Sequence, residues 1–154
     1  MSIQQIEQLP LGVESESVVK MMGPPDEKRE VGGETIWIYD TSDRTMQRAS
    51  FSLDQKRKLV SKTFIPIESE PESKVDFVVK NKYYQYEFGV VDFPQCGMDY
   101  VSSRALYADV GSGLSVLYNK ESNETEAIGW MSPAQLRQDI EDIKSCRNNA
   151  RAKK

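Results

Sequence analysis

The side chains that most often do chemistry are sparse in this chain. Histidine is absent from its 154 residues, which removes His-based triads, imidazole general bases and His metal ligands before geometry is considered. Cys96 and Cys146 stand far apart with no CxxC spacing, so neither a zinc nor a thioredoxin-type motif is available; one disulfide and two separate thiols both remain open. Glu68, Glu70, Glu72 and Asp76 lack the ordered spacing and glycine of a calcium loop and read as a solvated connection. "DVGSGLS", residues 109 to 115, has no Gly-Lys-Ser/Thr behind it and reads as a hairpin turn rather than a phosphate loop. The lysines and acids form no paired set legible from spacing. The sequence therefore predicts no catalytic residue, no metal and no cofactor, and a protein that is not an enzyme.

Aromatic side chains carry the remaining signal. In "KYYQYEF" Tyr84, Tyr86 and Phe88 share one strand face and Tyr83 takes the other. With Phe93 nearby, Tyr83, Tyr84, Tyr86 and Phe93 form the candidate partner-binding set, against the plainer alternative that they are sheet core. Trp37 and Trp130 read as packing anchors. A formal charge of −4 and a pI near 5.0 disfavour nucleic-acid binding; "RNNARAKK" at the C-terminus is the local exception. No apolar run approaches the roughly 20 residues of a membrane span, and "MSIQQIEQLP" lacks the basic-then-apolar order of a signal peptide.

These residues must be positioned by short elements. Ile3, Ile6 and Leu9 recur at helical spacing behind Ser2 until Pro10. After Leu11-Gly12, a second helix begins near Glu14 or Ser15 and presents Val18, Val19 and Met22; Gly23 offers a left-handed cap, and Pro24-Pro25 forbid continuation. A charged stretch leads to a Gly32-Gly33 turn and the strand "ETIWIYD". A meander is expected from residues 34 to 40, 47 to 54 and 58 to 65, with the helix at 15 to 22 packed on it. Residues 67 to 74 read as an acidic linker. Beyond it "VDFVV" and "YYQYEF" favour strands, "VVDFPQCGMDYVSS" is loop-like, and residues 104 to 130 give three strands separated by turns. Ser132-Pro133-Ala134-Gln135 starts a C-terminal helix over 132 to 150 with Leu136, Ile140 and Ile143 in a stripe. The fold class is α+β, one domain over 1 to 154, with a second β half at 75 to 131. A loose echo, "WIYD…SFSLDQK…FIP" against "LYAD…SVLYNK…WMSP", favours two related halves.

"LGVESESVVKMMGPPDEKREVGGETIWIYD" followed by "SFSLDQKRKLV" resembles the SmpA/OmlA (BamE-like) lipoprotein domain family. Leu11-Gly12, Val18 or Val19, Gly23-Pro24-Pro25, Trp37 with Tyr39, and Phe51 to Asp54 occupy the family's motif positions in order, over residues 3 to 66. The resemblance implies structural roles for Leu11, Gly12, Gly23, Pro24, Trp37, Tyr39 and Trp130. It also implies a non-enzymatic protein-binding module of the bacterial cell envelope, and two such units in tandem, as in the β-lactamase inhibitory protein, would suit the length. In a bacterial protein Asn123-Glu124-Thr125 is a turn rather than a glycosylation acceptor. Membrane association would come only through a lipid anchor outside this chain. Periplasm or the inner face of the outer membrane is expected if a leader has been removed, and cytoplasm otherwise; a cytosolic acidic chaperone or adaptor is the alternative reading.

Overall fold

Ser2 opens the first helix by a reciprocal cap: its hydroxyl accepts the Gln5 amide at 3.2 Å, and the Gln5 side chain accepts the Ser2 amide at 2.8 Å. In the computed structural model, which describes residues 1–40, 46–66, 88–92 and 104–152, this helix is α1, Ile3–Gln8, and α2 is Ser15–Met22. Gly23 ends α2 with φ 82°, its amide donating to Val19 O at 2.7 Å. Only a residue without Cβ takes that angle at no cost. The strands are β1 Glu27–Val31, β2 Glu34–Asp40, β3 Met46–Leu53, β4 Leu59–Pro66, β5 Gly89–Asp92, β6 Arg104–Asp109, β7 Leu114–Asn119 and β8 Glu124–Met131, and the last helix is α3, Pro133–Ala152.

All eight strands form one antiparallel sheet in the order β1-β2-β3-β4-β8-β7-β6-β5. The chain is α+β with the sheet dominant. The meander of β2, β3 and β4 lies within one residue of its expected bounds. Two readings need correction. The charged stretch before Gly32-Gly33 is itself a strand, because two consecutive glycines at φ 58° and 84° make the two-residue turn that returns β1 onto β2 in register Val31↔Glu34. Residues 90–92, which the sequence suggests are loop-like, form β5 together with Gly89 and pair with β6. The acidic linker at 67 to 74, "VDFVV" and "YYQYE" lie outside the described residues, as does Cys96, whereas Phe88 is described and packs against the main core.

Register assigns the faces. Trp37 stands opposite Phe51, Ala49 opposite Phe64, Phe64 opposite Ile128 and Ile128 opposite Val116, so these side chains share one face across β2-β3-β4-β8-β7. They form the main core with Ile6, Leu9 and Val18 of α1 and α2. Leu106 and Ala108 alternate with Tyr107 and therefore point the other way; they pack with Leu136 of α3, joined by Ile140 and Ile143. The N-terminal helices and the C-terminal helix thus cover opposite faces of the sheet.

Each group of four strands is a meander, and both run from an outer edge inward to the β4–β8 seam in mirrored order. At that seam Gly129 has no room for a side chain: a Cβ would sit 2.8 Å from Thr63 Oγ1 and 3.1 Å from Lys62 O.

Candidate protein-docking edge

The residues singled out by the sequence divide into two groups. Trp37 is 3% exposed, beneath Lys28 Nζ at 5.0 Å from the ring centre. Tyr39 is buried edge-on against Phe51, centroids 5.4 Å apart, and its hydroxyl donates to Gly23 O at 2.8 Å. Burial, helped by the Asp26 carboxylate, pushes its phenol up to about 12. Trp130 leans on Phe64 at 6.1 Å, and Leu11 is packed against the same core. Gly12 sits in the connection between α1 and α2 with its amide on Leu59 O, and Pro24 is exposed after the Gly23 cap. Tyr83, Tyr84, Tyr86 and Phe93 lie outside the described residues.

Sequence reasoning missed Lys62. It occupies a core-facing position of β4 between Phe51 and Trp130 and is 4% exposed. Its ammonium donates to Ile6 O at 2.5 Å, Leu9 O at 2.7 Å and Glu7 O at 2.9 Å, carbonyls of the last turn of α1 and its cap. The Trp130 ring lies 4.9 Å from the same nitrogen. Burial lowers this ammonium to about 8, with Glu7 pulling the other way. A lysine with such a value can serve as a base or nucleophile, but here all three N–H bonds are committed to backbone acceptors. Lys62 is a helix clamp. Its signal in the sequence is a charge on the apolar face of "LVSKTFIP", where alternation calls for a hydrophobe.

Among the described residues the sheet has two outer edges, and they are built differently. Along β1, Glu27, Lys28, Arg29 and Glu30 are all exposed, and Arg29 Nε donates to Glu27 Oε1 at 2.7 Å. Charges of this kind block pairing with another chain. At the other end β5 reads Gly-Val-Val-Asp, pairs with β6 on one side, and has no partner strand on the other among the described residues. Val90 is 55% exposed, and Asp92 is held by Lys120 at the far end of the strand.

A cavity of about 460 Å³ lies beside this edge, between β5 and α3. Gly89, Val90, Val91 and Ala108 supply one wall. Arg137, Ile140, Glu141 and Lys144 supply the other, at helical spacings of three and four that place them on one face of α3. The wall is therefore apolar at Ile140 with charges of both signs around it. An edge that no described strand pairs presents backbone donors and acceptors along one side, and a cavity beside it could take alternate side chains of an added strand. Near the same half, burial raises Glu126, but the hydrogen bonds from Arg104 at 2.7 Å and Asn119 at 3.0 Å, together with the Arg104 charge, outweigh it and hold the carboxyl below the usual range.

No family model and no curated protein sequence matches the chain. Two solved structures are similar in fold. One is an extracellular protein containing an SCP domain from Bacillus anthracis, 15% identical with a TM-score of 0.52, matched over 90% of this chain and 48% of that one. The other is a DUF4309 family protein from Bacillus subtilis, 13% identical with a TM-score of 0.53, matched over 84% of this chain and 85% of that one. This chain thus spans about half the length of the first. At these identities the likeness concerns the fold alone.

Proposed function

We propose that the chain is a non-enzymatic protein-binding module of the bacterial cell envelope that takes up an extended segment of a partner along β5, with the segment's side chains entering the cavity against α3. The observation that carries this reading is the asymmetry of the two edges: β1 is guarded by four charges, whereas β5 is short, apolar and bordered by a cavity of about 460 Å³. The helix–helix–meander order of residues 3 to 66, with Trp37 and Tyr39 buried under α2, supports the resemblance to SmpA/OmlA domains. The mirrored second meander supports the tandem arrangement. The extracellular description of one similar structure supports a place outside the cytoplasm.

The test is affinity capture from an envelope fraction with the parent chain and with Val90→Lys. Lysine on an exposed edge position repels strand addition without disturbing the core. The variant should melt within a few degrees of the parent and lose the captured protein. Equal capture by both chains would remove β5 from the interface.

A further inference from the structure

At the opposite end of the sheet from β5, a second cavity of about 360 Å³ opens between α2, the β1–β2 hairpin and the turn joining β3 to β4. Lys20, Lys28 and Arg57 line it, with Val19 and the edge of Trp37 as its apolar part. In a chain of net charge −4 this is a local excess of cations. Among the described residues none of the three makes an ion pair with a carboxylate. Glu16 also reaches the cavity, so the lining charge is three positive against one negative.

Arg57 stands where its backbone disfavours it. The β3–β4 connection is closed by Asp54, whose carboxylate accepts the Lys56 and Lys58 amides at 2.9 and 3.0 Å. Arg57, between those two lysines, carries φ 61°, a left-handed angle that such turns ordinarily give to glycine. An arginine there is strained, and its backbone carbonyl accepts the Ser15 amide at 2.9 Å, which ties the turn to the start of α2. The N-cap Glu14 makes no side-chain cap hydrogen bond, and the Glu16 amide has no partner among the described residues.

We infer that this cavity binds a doubly charged oxyanion of the phosphate class, with Arg57, Lys28 and Lys20 as its cationic ligands. A dianion matches the net charge of the lining, and a guanidinium fork with two ammonium groups can meet several of its oxygens at once. The cavity holds a phosphate group with a small apolar substituent against Val19.

Two sources share this chemistry: a free phosphate or phosphate monoester, and a phosphate presented on a lipid. The test titrates the full chain with inorganic phosphate at low salt and follows backbone amides by NMR. Saturable shifts centred on Glu16, Lys28 and Arg57 are expected. Arg57→Gly separates function from folding: glycine relieves the positive φ, so the melting temperature should hold or rise by a few degrees, while phosphate affinity falls roughly tenfold. Lys28→Gln should weaken binding in the same direction. Sedimentation with vesicles containing phosphatidic acid, whose headgroup is a phosphate monoester, distinguishes the sources: binding to vesicles that Arg57→Gly abolishes keeps the site and makes lipid the source, and its absence leaves free phosphate. Unsaturable shifts spread over all surface lysines, or undiminished affinity in Arg57→Gly, would overturn the inference.

Discussion

Lys62 shows how one charge can organise an element without performing a reaction. Replacing it by methionine keeps the aliphatic stem but takes the ammonium away from the Ile6, Glu7 and Leu9 carbonyls at the end of α1. The expected loss is about 2 kcal/mol in denaturant melts, the cost of weakened backbone acceptors less the relief of no longer burying a charge. The pH dependence has a definite sign. Above about 8 the folded protein sheds the Lys62 proton, while the unfolded chain keeps it up to the ordinary lysine value, so the unfolded state binds more protons there. The stability difference between the parent chain and Lys62→Met should therefore shift in favour of the parent as pH rises from about 8 through that window. Tyr39 acts oppositely at still higher pH: its phenol ionises in the unfolded chain first, so its contribution falls as pH climbs toward about 12. Thr125 supplies a cleaner case. Its hydroxyl is fully buried and has no hydrogen-bond partner among the described residues, so Thr125→Val, nearly the same shape, should raise stability by about 1 kcal/mol in the same melts. A loss instead would show that the hydroxyl has a partner.

Between elements, the β6–β7 turn is the most constrained connection. Gly113 has φ 77°, its carbonyl accepts the Met131 amide at 3.1 Å, and a Cβ built on it would lie 1.8 Å from Met131 O. The turn is thus pressed onto the end of β8, which leads into α3. Gly113→Ala should cost at least about 2 kcal/mol, since a disfavoured angle and a clash with backbone arise together; Gly111→Ala, whose Cβ meets only the Asp109 side chain at 3.9 Å, is the control expected to change little. The glycines of "DVGSGLS" suit the hairpin turn that joins β6 to β7, but they say nothing of Met131. Likewise "EKREV" as a strand was concealed by its charge, since an edge strand that must refuse partners has no apolar alternation to display. Four residues of β5 were too few for a periodic signal, and their pairing with β6 came only from the fold.

On the scale of the molecule, the two meanders share one core. Leu114, Val116 and Ile128 of the second half pack in the same cluster as Trp37, Phe51 and Phe64 of the first, and Gly129 lets β8 approach β4 closely. The halves should therefore unfold together. A single calorimetric transition with matching calorimetric and van't Hoff enthalpies is expected, and Gly129→Ala, which forces the seam apart, should lower its midpoint without splitting it. Two separate transitions would mean that each meander is a unit of its own.

By itself the sequence determined the local grammar: the Ser2 and Ser132 helix starts, the Gly23-Pro24-Pro25 stop, the Gly32-Gly33 and Asp54 turns, and the strands holding Trp37, Phe51 and Phe64. Each of these is set by a few neighbouring residues whose backbone angles or alternation are self-contained. It also fixed the chemistry that a histidine-free chain cannot perform. Only the tertiary structure decided which strands lie at the edges, that α3 covers the face opposite α1 and α2, and that Lys62 reaches back more than fifty positions to close α1. Those outcomes depend on which surfaces meet after the chain has folded, and residues distant along the chain leave no mark on each other's local pattern.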